Sequence, residues 1–299
     1  RFLTKAHGRY QPIWYFIPIL LVGMLPWLGS LAQGLAAGSR REAGRRFQPR
    51  RFLLVWAVLV FVFFSVSSSK LASYILPIFP ALAALVALHL RGRMTKQRHI
   101  GDALFSGGVG LVGLFFVPLV IHRATTQELE AIYRLYQPWL YVAAALFLLG
   151  GIVAFFLARR QPLVAIMALA VTSFFSGQAI ILGHDAFGEV NSAHDIALQI
   201  RPQVPQNVPF YSVNTYDQSF QFYLQRTTTM VDYKDELEFG IRQEPQKFIP
   251  DIGGFVAAWR QAPAAWALMP PDTWAQLKAK GLPMIEVTRD LRRVIVRKP

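Results

Sequence analysis

Between Phe52 and Leu90 the chain reads FLLVWAVLVFVFFSVSSSKLASYILPIFPALAALVALHL, and Lys70 is the one Lys, Arg, Asp or Glu in that stretch. A helix needs about 20 predominantly apolar residues to cross the ~30 Å hydrocarbon core of a bilayer. Phe52–Ser69 meets that requirement, and Ile75–Leu90 meets it once Leu71–Tyr74 is added. Working outward, Ile13–Leu35 precedes this pair, and Ala103–Ile121, Pro138–Leu157 and Pro162–Leu182 follow it, for six spans in all. Pro18, Pro26, Pro77, Pro80 and Pro118 fall inside these runs. They would break a soluble helix, but packed membrane helices re-satisfy the freed carbonyls through their neighbours. The expected fold class is a polytopic α-helical membrane protein over residues 1–182, with a small α/β domain over 183–299.

Composition agrees. Charged residues make up 16% of the chain and apolar residues 54%, against about 25% charged in soluble domains. There is no cysteine, which removes disulfides, thiolate nucleophiles and Cys-based metal sites. The net charge of +14 would suit nucleic acid if it were gathered on a soluble face. It is not: residues 1–182 hold 18 Lys/Arg and 4 Asp/Glu, whereas residues 183–299 hold 13 of each. The basic excess lies between the apolar runs, so nucleic acid is not an expected partner and membrane lipid is.

Loop charge sets the orientation. Arg40, Arg41, Arg45, Arg46, Arg50 and Arg51 follow the first span, Arg91, Arg93, Lys96 and Arg98 the third, and Arg159 and Arg160 the fifth, with Glu42 the sole acid among them. These alternate loops are expected in the cytoplasm. The first dozen residues, the Lys70 turn, the 122–137 loop and the C-terminal domain are then periplasmic, in a multi-pass protein of a bacterial inner membrane. The chain opens at Arg1 without a Met, and the expectation is a fragment of a longer protein.

After the last span, short elements alternate. Val208–Val213, Thr228–Asp232 and Ala264–Met269 read as strands. Gln218–Gln225, Ile252–Arg260 and Pro271–Lys280 read as helices, the last with Asp272 at its N-cap. Met284–Arg289 and Arg292–Arg297 read as a terminal strand pair around Asp290-Leu291. Such alternation implies an α/β layer domain.

Four features invite a chemical reading. Gly108-Val-Gly-Leu-Val-Gly113 matches the dinucleotide fingerprint, but it lies inside a span and lacks the strand-turn-helix context that brings amides to a pyrophosphate. Close helix packing through small residues is the better account. His184-Asp185, Glu189 and His194-Asp195 have no metal-ligand spacing, and read as a polar connector. Lys70 is costly between two apolar helices unless paired, which makes it a functional candidate by default; a lysine snorkelling to the interface explains it equally well. Tyr74 is either an aromatic-belt anchor or a phosphate donor. In the N-terminal stretch, Arg1, His7 and Arg9 would suit an anionic head group or plain interfacial anchoring.

Arg1-Phe2, Pro12-Ile-Trp-Tyr15, Gly23-Met-Leu-Pro-Trp27, Phe63-Phe-Ser-Val-Ser67 and Lys70-Leu-Ala-Ser-Tyr-Ile-Leu-Pro77 run in this order. The series resembles the C-terminal half of the polyprenyl-phosphate-dependent glycosyltransferases of the GT-C type. It is most similar to the lipid A aminoarabinose (4-amino-4-deoxy-L-arabinose) transferases, which are themselves similar to protein mannosyltransferases. Val213-Asn-Thr-Tyr-Asp-Gln-Ser-Phe-Gln-Phe-Tyr-Leu224 resembles that family's periplasmic domain. The resemblance implies transfer of a sugar from an undecaprenyl-phosphate donor to a lipid or glycan acceptor such as lipid A. It places Lys70 and Tyr74 in the family's Lys-Leu-x-x-Tyr turn, where the carrier phosphate binds; Arg1 and Arg9, from the basic N-terminal stretch, are expected as further ligands of that phosphate. It implies no catalytic residue within this chain, because the acidic general base lies upstream. It also implies a divalent metal, whose histidine falls just before Arg1-Phe2 and which His7 matches poorly. The alternative expectation is a transporter or flippase fragment, or a scaffold with a periplasmic binding domain. Transporters tend to carry charges at the bilayer midplane and inverted repeats, neither of which this sequence displays.

Overall fold

The computed structural model describes residues 10–44, 46–92, 100–234 and 237–299, and for Glu189 the backbone alone. The chain divides into two compact units: Arg1–Ala124 with Tyr133–Gly183, and Thr125–Ile132 with His184–Pro299. Among the described residues of the chain, five helices are long and apolar enough to cross a membrane, or six when one bent pair is counted as a span.

That bent pair is the expected span Ile13–Leu35. It is broken into α1 (Phe16–Gly23) and α2 (Leu28–Gly38), which meet at 111°. Pro26 has no amide to continue a helix, and Gly23 lets the ring of Phe79 approach so closely that a Cβ there would lie 2.6 Å from Phe79 Cζ. A break exposes the first amides of α2. Asp102 satisfies one of them: Ser30 N donates to its Oδ1 (3.1 Å), and Ser30 Oγ donates to its Oδ2. Asp102 is buried, and it belongs to the first turn of the helix that begins at Ile100.

The remaining spans follow the apolar runs. They are α3 (Pro49–Val66), α4 (Phe79–Arg91), α5 (Ile100–Phe116), α6 (Gln127–Leu157) and α7 (Pro162–Gly183). A 3₁₀ segment, Ala72–Ile78, contains Pro77 and runs into α4, and another, Val117–Arg123, starts beside Pro118 after α5. Part of the expected 122–137 loop is helical, because α6 begins at Gln127. The Thr126 hydroxyl accepts from Leu129 N (3.2 Å), and Glu128 and Glu130 occupy the first turn, where acidic groups suit the helix dipole.

The Gly108–Gly113 fingerprint is a packing device. A Cβ on Gly110 would lie 2.6 Å from Ala144 O, and one on Gly151 would lie 2.6 Å from Gly107 Cα. Backbones of α5 and α6 therefore meet where side chains would hold them apart. Ser106 Oγ donates to Phe147 O and Ser176 Oγ to Ala143 O, both at 2.8 Å, tying α6 to its neighbours. Large apolar side chains such as Phe63, Phe115 and Phe156 project outward, as lipid contact requires.

The second unit continues with α8 (Gly188–Asn191), α9 (His194–Ile200), β1 (Phe210–Val213), α10 (Gln218–Leu224), β2 (Thr229–Val231) and α11 (Glu238–Gln243). It ends with β3 (Phe248–Ile249), α12 (Ile252–Gln261), β4 (Trp266–Met269), α13 (Pro271–Ala279), β5 (Ile285–Arg289) and β6 (Val294–Arg297). One six-stranded sheet runs β3-β2-β1-β4-β6-β5. The first four of these pair in parallel, and β6 pairs antiparallel with β4 and β5. Parallel strands need cover on both faces, and the sequence supplies it by alternation. Ala267, Met269, Val294 and Val296 pack with Phe255 and Trp259 of α12 on one face. Trp266, Leu268 and Ile295 pack with Phe220 of α10 and Ile196 and Ile200 of α9 on the other.

The stretch read as a polar connector, His184–Asp195, leads into α9, whose Ile196, Ala197 and Ile200 are core residues at helical spacing. One expectation about this unit is corrected. Pro270, rather than Asp272, occupies the N-cap of α13, and no side chain caps it; Asp272 lies in its first turn.

Candidate functional site

Lys70 does not snorkel. It is 4% exposed, and its ammonium donates to Gln11 O (2.9 Å) and to Ser67 O. Both acceptors are carbonyls that a helix would have consumed. Ser67 leaves the helical region at the end of α3 with ψ 138°. Gln11 precedes Pro12, and a residue before proline is biased away from helical backbone. An isolated antiparallel bridge between Tyr10 and Ser69 holds the two segments in register, so their carbonyls converge on one nitrogen.

This is an unusual environment for a cation. A lysine ammonium has three N–H donors, and two are committed to neutral carbonyls. Among the described residues no carboxylate pairs with it. Burying an ion costs several kcal/mol unless its charge is compensated. The Lys70 turn is therefore a preformed half-site that an anion would complete. Tyr74 follows in the 3₁₀ segment; it is half-buried, and its ring packs against Phe64 at 5.6 Å between centroids. Backbone and ring contacts fix both side chains before any ligand arrives.

Beside the turn lies an apolar groove of 610 Å³, lined by Pro18, Ile19 and Val22 of α1 and by Ala72, Ser73 and Leu76 of the 3₁₀ segment. Its lining residues Ala72 and Ser73 follow closely on Lys70. Sequence reading missed the groove and the two carbonyl ligands. Pro12 and the Ser67-Ser-Ser69 helix stop are the local signals that mark such free carbonyls.

Arg1, His7 and Arg9 lie outside the described residues, so their place relative to Lys70 and any role of His7 toward a metal rest on the sequence alone. Among the described residues no group of three or more His, Cys, Asp or Glu could hold a metal ion. His184 and His194 have separate partners: His184 Nε2 meets Asn191 Nδ2 at 3.3 Å, and His194 Nδ1 meets Asp195 Oδ1 at 2.5 Å.

The structure of ArnT from Cupriavidus metallidurans bound to undecaprenyl phosphate superposes with a TM-score of 0.84 and 35% sequence identity, over 98% of this chain and 53% of that one. The chain is related to the C-terminal half of the GT-C aminoarabinose transferases. The apo structure of the same ArnT superposes with a TM-score of 0.83, covering 97% of this chain and 52% of that one. The family described as the aminoarabinose transferase C-terminal domain matches residues 196–298. Two enzymes named undecaprenyl phosphate-alpha-4-amino-4-deoxy-L-arabinose arabinosyl transferase are similar in sequence. That of Sodalis glossinidius (strain morsitans) is 38% identical over 122 residues, which is 40% of this chain and 21% of the relative. That of Edwardsiella ictaluri (strain 93-146) is 45% identical over 127 residues, or 40% and 22%. The matched region thus spans about a fifth of these curated relatives and about half of the solved transferase.

Proposed function

We propose that this chain forms the carrier-binding half of a membrane glycosyltransferase, one that moves a sugar from undecaprenyl phosphate to an acceptor such as lipid A at the periplasmic face. The observation that carries this reading is the buried Lys70 ammonium held by carbonyls alone beside an apolar groove. A polyprenyl phosphate sugar needs that combination: a fixed cation for the phosphate and a lipid-facing channel for the tail. When the glycosidic bond breaks, negative charge develops on the departing phosphate. A preorganised donor in a water-poor site stabilises such charge without reorganising. Among the described residues, the remaining Lys70 N–H and the Tyr74 hydroxyl are donors this turn offers. The relatives' names support 4-amino-4-deoxy-L-arabinose as the sugar. The acid-base step belongs to the half of the transferase fold that precedes the matched region, where a general base typically contributes ~10²–10⁴-fold.

The transporter reading has one point in its favour, the discontinuous first span, since transporters bind substrate at half-helix ends. Here the amide of Ser30 at the start of α2 is bonded by Asp102, leaving that end occupied. The complete transferase, supplied with an undecaprenyl-phosphate aminosugar and lipid A, is expected to release undecaprenyl phosphate in step with acceptor modification. Movement of the carrier across liposomes without its release would favour the flippase instead.

Orientation is tested separately. A cysteine at Ser39, in the otherwise cysteine-free chain, should react with a membrane-impermeant maleimide only after cells are opened. A cysteine at Ser69 should react in intact cells once the outer membrane is permeabilised. The reverse pattern would invert the topology and remove the periplasmic assignment of the second unit.

A further inference from the structure

A second cationic site lies at the other end of α3. Its 18 residues correspond to about 27 Å of helix, close to the ~30 Å hydrocarbon thickness. The Lys70 turn follows its C-terminus and Arg50 sits in its first turn, so the two sites mark opposite bilayer surfaces.

At the Arg50 end, the last turns of α2 and α4 and the first turn of α3 enclose a pocket of 310 Å³ lined by Gln33, Arg40, Arg50, His89 and Gly92. The packing is tight: a Cβ on Gly38 would lie 3.3 Å from Arg50 O. The loop that carries both arginines is clipped by one side chain. Gln48 Oε1 accepts from Glu42 N and Gln48 Nε2 donates to Glu42 O, each at 2.7 Å. The clip joins Glu42 to Gln48, and Arg40 and Arg50, on either side of it, line the same pocket. Arg50 is only loosely committed, with Nη2 3.4 Å from Leu88 O and Nε 3.6 Å from Glu42 Oε1. Arg40 has no ion-pair partner among the described residues, and Glu42 is the sole acid in the loop.

We propose that this pocket binds the phosphate of an anionic phospholipid at the membrane surface opposite the Lys70 turn. Guanidinium forks match phosphate oxygens bidentately, and basic pockets between spans at a bilayer surface suit anionic head groups. At 310 Å³ the pocket is large enough for a glycerophosphate head group. Gln33 and His89 line the same pocket. The site is independent of the carrier half-site, since α3 separates them.

The test is native mass spectrometry of the full chain released from detergent, with phosphatidylglycerol, phosphatidylcholine and soluble glycerol phosphate as probes. Phosphatidylglycerol is expected to be retained at about a tenfold lower concentration than phosphatidylcholine. Arg40→Gln should weaken that retention about tenfold, the loss of one charge-assisted hydrogen bond, and Arg40→Gln with Arg50→Gln should remove the preference. Arg40 is exposed and has no ion-pair partner among the described residues, so its substitution leaves the fold intact even where Arg50→Gln does not. A control pair in another basic loop, Arg159→Gln with Arg160→Gln, should retain phosphatidylglycerol like the parent chain. The proposal fails if Arg40→Gln binds as the parent does, because the arginines then serve only as partners for helix carbonyls. It fails equally if the control pair loses as much, which would make the attraction a general one. Retention of soluble glycerol phosphate as tightly as phosphatidylglycerol would replace the lipid with a free phosphate ligand.

Discussion

Lys70→Ala in the complete transferase is expected to lower carrier-dependent transfer by about a hundredfold or more while the protein remains inserted in the membrane. The magnitude follows from what the ammonium does. Removing one preorganised donor from a site of developing negative charge typically costs ~10²–10³ in turnover, and here the donor also carries the compensating charge. Lys70→Met is the sharper variant, because it keeps most of the buried stem and removes only the cation. Lys70→Arg should not rescue. A planar guanidinium presents a rigid fork, and the space set by Gln11 O and Ser67 O is fitted to a compact ammonium. Tyr74→Phe should be milder, about ten- to a hundredfold, the worth of one hydrogen bond to a charged group. Each variant leaves carbonyls or a ring in place, so thermal unfolding should separate a folding defect from a binding one. The decisive measurement pairs transfer rate with affinity for undecaprenyl phosphate at matched expression. Parental rates and affinity in Lys70→Met would reduce the turn to a structural tether between the Tyr10 and Ser69 segments, and the carrier site would have to lie elsewhere.

What the sequence made legible, and what it did not, divides by the range of the interactions involved. Spans such as α3 and α7 are visible because hydropathy is local and the bilayer fixes the length. The strands of the second unit are visible because burial on both faces demands continuous apolar runs such as Trp266–Met269. Lys70 stood out because a charge between apolar helices is costly wherever it points. Its burial could not be read, since that depends on Gln11, 59 residues away in the chain. The groove was hidden for the same reason, being shared by α1 and a 3₁₀ segment that residues 24–71 separate. The break in the first span was signalled by Pro26 but resembled the tolerated prolines elsewhere. What distinguishes it is Asp102, 72 residues on, ready to take the freed amide and hydroxyl of Ser30. The early start of α6 was missed because Glu128, Glu130 and Arg134 look like a loop when only hydropathy is counted.

Arg293→Ala is expected to be the most destabilising single change in the second unit, at about 3–5 kcal/mol. Arg293 is 3% exposed. Its Nε and Nη2 reach Asp217 Oδ2 at 2.7 and 2.6 Å, and its Nη1 reaches Asp290 Oδ2 at 2.8 Å. Asp217 in turn accepts from Phe220 N (3.1 Å), capping α10, and from Ser219 Oγ (2.5 Å). One guanidinium thus fastens the β5–β6 hairpin to the helix after β1, across 76 residues of chain. Deleting it strands two carboxylates that are largely shielded from water. Against the 5–15 kcal/mol stability of an ordinary domain, that loss should lower the unfolding midpoint on the order of 10–20 °C. Arg293→Lys keeps the charge but loses the fork, and should fall between. Acid gives an independent readout. Burial alone would raise the Asp217 carboxyl, but the hydrogen bonds from Ser219 and Arg293, the Arg293 charge and the Phe220 amide outweigh it and hold it below its usual value. A carboxyl depressed in the folded state adds stability above its unfolded pKa, near 3.9, and loses it as the pH falls through the folded value. The parent should therefore weaken progressively below about pH 4, and Arg293→Ala, already lacking the partner, should lose less over that window. Hydrogen exchange at the amides of β1, β4 and β6 reports this unit without interference from the spans. Parental protection in Arg293→Ala at neutral pH would show that the two apolar faces of the sheet, rather than this buried clamp, hold the hairpin in place.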